Sequence, residues 1–324
     1  MKIKNKSLNL TQIKDFQLGQ NIFGFFICIE KQYRISKSGN PYLNIILLDI
    51  SSKIEGKLWN NVDYFNEQFQ KGDPVAVKGI PVDFNGKICI NISQIKFAKK
   101  HIYNKYGFNS KNLIRTISLN PEKIFKEIIS LINNIKSKFL KELCFNIFTK
   151  NKDEILVCPA SIKDHYPIKG GLLLHLFNCL KLAIQSLKNY NYLKKDLLFS
   201  GILLNDIGKI KCYSGEYLFI ENDYSKLNGH NTIGLELIDN EILKISNFPI
   251  EVKQLLLHIL FFQNNSLNKN NINSPKFPEA LAIFNIKKMD IEIDIMNRII
   301  SDKNDVNRNW TNRNNYFSTS LYIQ

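Results

Sequence analysis

Val75-Ala-Val-Lys-Gly-Ile-Pro-Val82, then Asp83-Phe-Asn85-Gly86, then Lys87-Ile-Cys-Ile-Asn-Ile-Ser-Gln-Ile-Lys-Phe97 is the stretch that decides the fold of the N-terminal third. Asn-Gly supplies the two residues of positive φ that a tight hairpin turn requires. Two antiparallel strands, Val75 to Val82 and Lys87 to Phe97, are therefore expected on either side of it.

Upstream, the chain keeps to the same short-strand rhythm. Asn21 to Tyr33 carries apolar residues on both faces, Ser36-Lys-Ser-Gly-Asn-Pro41 is a turn cluster, and Tyr42 to Ile50 and Ile54-Glu-Gly-Lys-Leu-Trp59 read as two further strands. A helical stretch, Val62 to Phe69, precedes the Gly72-Asp-Pro74 break. Three strands, a helix and two strands over residues 13–98 is the element order of a five-stranded OB-fold β-barrel. Such barrels hold single-stranded nucleic acid by stacking bases on exposed rings beside a basic groove. Tyr33, Tyr42, Trp59 and Phe84 fall at strand ends or turns, interleaved with Arg34, Lys37, Lys57 and Lys87. These eight residues, taken as a set, are the expected nucleic-acid surface, although for any one of the rings packing inside a small barrel is the commoner role.

The chain has 324 residues, 44% of them hydrophobic, enough for two domains with cores of their own. No apolar run nears the roughly 20 residues that cross a bilayer, and Met1-Lys-Ile-Lys-Asn-Lys-Ser lacks the apolar core of a signal peptide. A soluble, cytoplasmic protein without a membrane partner is expected. Cys28, Cys89, Cys144, Cys158, Cys179 and Cys212 lie on apolar stretches without CxxC spacing, which suits reduced, packed thiols. The net charge of +15 suits a polyanionic partner. Compositional drift toward Lys, Asn and Ile would also raise it, but the excess is uneven. Residues 1–120 hold 18 Lys/Arg against 8 Asp/Glu, and the rest 26 against 21.

After a short N-terminal segment (1–12), the barrel and a basic linker (99–120), the pattern turns helical over 121–300, with a tail at 301–324. Pro121-Glu-Lys-Ile-Phe opens a helix expected to reach about Ile147. Asp196-Leu-Leu-Phe-Ser-Gly-Ile-Leu-Leu-Asn205-Asp206-Ile207-Gly208-Lys209 reads as an apolar helix that carries a carboxylate into a buried place. Such a carboxylate needs a cationic partner. Of five histidines, His165, His175, His230 and His258 share this region. His175 lies near the start of a helix opening at Gly170, Gly229-His230 opens another, and Glu251 to Phe262 carries His258. Three imidazoles and a buried Asp from separate helices suggest one metal site.

Gly170-Gly171…His175, Leu204-Asn-Asp206-Ile-Gly-Lys209, Gly229-His230, His258, Ser274-Pro275…Pro278-Glu279-Ala280 and Trp310-Thr311, behind an OB-like barrel, resemble the YhaM-type 3′-5′ exoribonucleases of bacteria. The resemblance implies a multidomain α+β chain, the barrel followed by an all-α domain of the HD phosphohydrolase superfamily. It implies a divalent metal, Mn2+ or Mg2+, held by His175, Asp206, His230 and His258. Asp206 and Lys209 would be catalytic, and the terminal phosphodiester of single-stranded RNA or DNA would be hydrolysed. The family's His-Asp pair reads Asn205-Asp206 here, its His-His pair reads His258-Ile259, and its last metal-binding Asp falls at Lys287, with Asp290, Glu292 and Asp294 just beyond. An amide is a weaker ligand than an imidazole, and a lysine repels a cation. Three readings follow: a metal-dependent exonuclease, a catalytically silent binder of single strands, and an HD-type nucleotide phosphohydrolase. Assembly with further copies of the chain is compatible with each.

Overall fold

The computed structural model describes residues 10–261, 274–301 and 309–323. Parts of the expected N-terminal segment (1–12) and tail (301–324) lie outside these. The chain forms two compact units, one reaching to Arg115 and including Ser214–Ile220, the other made of Thr116–Tyr213 and the chain from Glu221 onward.

The first unit is a closed five-stranded barrel in the order β1-β2-β3-β5-β4, built from β1 (Ile22–Ile35), β2 (Pro41–Leu48), β3 (Lys53–Leu58), β4 (Pro74–Phe84) and β5 (Lys87–Phe97). Closure comes from the parallel pairing of β3 with β5, Gly56 opposite Ile90 and Leu58 opposite Ile92. Alternation fills the barrel: Leu43, Ile45 and Leu47 of β2 and Ile90, Ile92 and Ile95 of β5 point inward, and α1 (Val62–Asn66) adds Val62 and Phe65. Asn85 and Gly86 both have positive φ, 57° and 77°, as the tight hairpin requires.

β1 is apolar on both faces because both are covered. Phe26 and Cys28 enter the barrel, while Phe25 and Ile27 join a second cluster on its outside with Phe108 and Leu113. The basic stretch expected as a linker is thus divided. Its first part, with the short helix α2 (Lys100–Tyr103), packs on the barrel, and only residues from Thr116 belong to the second unit.

The second unit is helical: α3 (Pro121–Asn133), α4 (Lys138–Lys150), α5 (Lys152–Val157), α6 (Gly171–Asn189), α7 (Lys195–Asn205), α8 (Asp223–Ile242), α9 (Ile250–Phe261) and α10 (Pro278–Ser301). Short strands β6 (Tyr213–Ser214) and β7 (Ile220–Glu221) pair between α7 and α8. The single helix expected from Pro121 to about Ile147 is two. Asp196 accepts hydrogen bonds from the backbone N–H groups of Lys136 and Ser137, at 3.1 and 2.8 Å, and Ser137 caps α4. From Leu197 to Asn205 every residue of α7 is buried, which explains its apolar sequence on all sides. All six cysteines are free and buried. Among the described residues no helix is long and apolar enough to cross a membrane.

Candidate functional site

The barrel turns a connected row of rings and cations outward. With Leu43 and Ile45 inside, Tyr42 and Asn44 of β2 face out, Tyr42 opposite Arg34 of β1 and Asn44 opposite Lys57 of β3. The Tyr42 ring stacks on Trp59, 4.5 Å between centroids and 23° between planes. Lys57 Nζ sits 3.4 Å from the centre of the Phe84 ring, and Phe84 pairs with Lys87 across the Asn85-Gly86 turn. Trp59 is 40% exposed and Phe84 48%, so neither ring belongs to the core. Lys37 is exposed in the turn between β1 and β2.

Tyr33 departs from this row. A bulge in β1 between Cys28 and Glu30 shifts the register, so Tyr33 lies opposite the inward Leu43, with Asp63 of α1 near enough to raise the pKa of its phenol.

In the helical unit, α7 ends on Asp206, which is 1% exposed, and a 3-10 turn carries Lys209 back toward it. Lys209 Nζ lies 3.1 Å from Asp206 Oδ1, and Lys287 Nζ, from α10, 2.9 Å from Oδ2. His175 Nε2 is 3.4 Å from Oδ2 and His230 Nε2 3.5 Å from Oδ1. Oδ2 has no partner with hydrogen-bond directionality, so at that oxygen the attraction is between point charges. Burial works to raise the Asp206 pKa, but Lys209 and Lys287, helped by His175 and His230, hold the carboxyl well below its usual range.

Two glycines make this approach geometrically feasible. A Cβ on Gly208 would stand 1.9 Å from the backbone oxygen of His230, so only glycine admits α8 so close to the Asp206 turn. Gly229, at φ 74°, kinks α8 immediately before His230. Gly208 is therefore a contact point between elements.

His175 is completely buried between two carboxylates, with Nδ1 2.6 Å from Asp290 Oδ2 and Nε2 facing Asp206. Burial would lower its pKa, but the Cys179 sulfur, the facing Asp206 carboxylate and the hydrogen bond to Asp290 outweigh that and hold it well above 6.5. Tyr166 adds its hydroxyl to Asp290 Oδ1 at 2.9 Å. His165 has the opposite fate. Burial and the adjacent Lys209, whose Nζ is 3.4 Å from Nε2, push its pKa down to about 2. Tyr166, Asp290, Cys179 and His165 thus complete the cluster. Asp290 lies within a helical turn of Lys287 on α10, but nothing in the local sequence of Tyr166 marks it.

These residues do not form a cage for a divalent ion. Ligands must offer lone pairs, and an ammonium has none. Both oxygens of Asp206 face lysines, while His175 has Nδ1 taken up by Asp290 at 2.6 Å. Asn205, in the place of the expected imidazole, donates through Nδ2 to the Ile259 carbonyl at 2.7 Å, and its Oδ1 accepts from Lys287. His258 stands in other surroundings, accepting from the Lys276 backbone N–H at 3.2 Å with its ring against Phe277. Among the described residues the triple of ligand-type atoms within 4.8 Å of one another is His175, Cys179 and Asp290, where Nδ1 of His175 already serves Asp290. Neither Glu292 nor Asp294 supplies the missing carboxylate. Glu292 is 3.9 Å from Lys288, and Asp294 accepts from the Tyr166 N–H and pairs with Arg298. The expected Mn2+ or Mg2+ does not suit this donor set, because tethered ammonium groups lie against the carboxylate it would need.

Residues 29–98 match the family model of the OB-fold nucleic acid binding domain. The barrel is therefore an OB-fold nucleic-acid-binding domain. Solved structures similar to the chain include the second OB-fold domain of replication protein A from Methanococcus maripaludis, at 21% identity over 28% of this chain and 95% of that one, with a TM-score of 0.24. A replication protein A heterotrimer bound to single-stranded DNA matches at 14% identity over 30% and 70%, with a TM-score of 0.23. The mitochondrial single-stranded DNA-binding protein of S. cerevisiae matches at 14% identity over 26% and 97%, also with a TM-score of 0.23.

Proposed function

We propose that this protein binds single-stranded nucleic acid, RNA or DNA, along the row Arg34, Tyr42, Trp59, Lys57, Phe84 and Lys87. Its helical unit is then an HD-type relative of the YhaM exoribonucleases in which lysine–carboxylate pairs stand where metal chemistry would occur. The observation that carries the second half is the Lys287 ammonium 2.9 Å from Asp206 Oδ2. Exonucleolytic cleavage and nucleotide phosphohydrolysis by an HD-type centre both call for that carboxylate to hold a cation with open positions. Here it is engaged by two lysines. The first half is supported by the family of the barrel and by stacked, exposed rings beside lysines, which grip bases of any sequence.

The test is a pair of measurements on the full chain with end-labelled RNA and DNA single strands. Binding should weaken steeply with salt, be indifferent to a chelator, and leave the strands full length when Mn2+ is added. Release of mononucleotides with Mn2+, abolished by Asp206→Ala, would instead establish the exonuclease.

A further inference from the structure

A cleft of about 160 Å3 opens in the helical unit beside Asn205 and Lys287, walled by Ile259, Ile283, Phe284 and Ile291. We propose that it binds a small molecule composed of one aromatic ring and one anionic head group, carboxylate or phosphate. A buried apolar space of roughly 150 Å3 takes up a benzene-sized ring. Ile259, Ile283, Phe284 and Ile291 give part of this half-open cleft that chemistry, and Asn205, Lys287, Lys288 and Glu292 make the rest polar.

The charge of the head group follows from the lysines. Asp206 carries one negative charge and faces two ammonium groups, Lys209 and Lys287, so one positive charge is left over at that point. Lys287 is also the cation that lines the cleft beside the Asn205 amide. Of the three donors of an ammonium, one serves Asn205 Oδ1, while Asp206 Oδ2 faces the charge at 2.9 Å without a directed hydrogen bond. An anion entering the cleft would meet a remaining donor in a place half shielded from water, where a charge-assisted hydrogen bond is strong. Lys288 and Glu292 also line the cleft, 3.9 Å apart, and as an opposite pair add no net charge to it, so the preference rests on Lys287. A neutral ring would gain the walls and nothing from the lysines. The proposal does not depend on what the barrel binds.

The test is calorimetric titration of the full chain at low salt with benzoate, phenyl phosphate, benzyl alcohol and inorganic phosphate. Benzoate or phenyl phosphate should bind at least 10-fold more tightly than benzyl alcohol and than inorganic phosphate, and the tighter of the two names the head group. Lys287→Met, which keeps the side-chain volume, should bring the anionic ring down to the affinity of benzyl alcohol. Ile291→Trp, which fills the cleft, should remove binding of both. Equal affinity for benzoate and benzyl alcohol, equal affinity for phenyl and inorganic phosphate, binding undiminished in Lys287→Met, or no binding of either anionic ring would each overturn the proposal.

Discussion

Lysines do opposite things in the two units. On the barrel, Lys57 lies against an exposed ring and Lys87 at an open hairpin turn, so each keeps its charge in water and available to a phosphate. In the helical unit, Lys209 and Lys287 are drawn against Asp206, where little water screens them. A surface cation of the first kind contributes little to folding and much to capture of a polyanion. A cation of the second kind is bound up with the stability of its surroundings, since each partner left alone would be an uncompensated buried charge. The same residue type thus serves recognition in one unit and structure in the other, and burial decides which.

Breaking the buried side of this contrast should produce the largest effect. Asp206→Asn keeps the shape of the side chain but leaves the two ammonium groups facing an amide. Removing one partner of a buried ion pair costs about 3–5 kcal/mol. The urea midpoint of the helical unit should therefore fall sharply, with strand binding by the folded protein unchanged. A midpoint within error of wild type would mean that the lysines swing out to water and that the contrast is false.

Trp59→Ala tests the exposed side. Loss of one stacking platform costs about 1–3 kcal/mol of strand affinity, a fall of roughly 5- to 150-fold in a filter-binding or anisotropy titration. Because Trp59 lies outside the barrel core, thermal stability should move by no more than about 0.5 kcal/mol. The reverse pattern, stability lost and affinity kept, would make the Tyr42–Trp59 stack a packing contact.

The barrel was legible because its signals are local. Asn85-Gly86 specifies a turn, and alternation around Leu43, Ile45 and Leu47 places Tyr42 on the outside without knowledge of anything distant. Tyr33 escaped that logic through one bulged residue far back on the same strand, which changed the face it presents. In the helical unit the informative contacts join residues far apart in sequence. The break between α3 and α4 is capped by Asp196, about 60 residues downstream. Gly208 reads as a helix end until the carbonyl of His230 is seen against it. Lys287 could be recognised as hostile to a cation at Asp206, but that it would be the cation there depends on how α10 packs against α7. His258 looked equivalent to His175 in pattern, one imidazole on an apolar helix, and only packing separates them.

His165 and His175 offer a finer test, because their rings lie 5.4 Å apart and titrate in opposite senses. His165 has its folded pKa lowered to about 2 from 6.5, so its contribution is complete above about pH 6.5 and is lost as the pH falls, since only the unfolded chain takes up the proton. His175 has its folded pKa raised, so its contribution is complete below about pH 6.5 and is lost as the pH rises toward that higher value. One proton of difference corresponds to about 1.4 kcal/mol per pH unit at most. Together the two should give the helical unit a stability maximum near pH 6.5, read as unfolding midpoint against pH from 5 to 8. His165→Asn should flatten the acid limb and leave the alkaline limb in place, because the substitution removes a proton acceptor without touching Asp290 or Asp206. Were both limbs to flatten together, the two imidazoles would be sharing a single proton, and Lys209 would no longer be the cation that keeps His165 neutral.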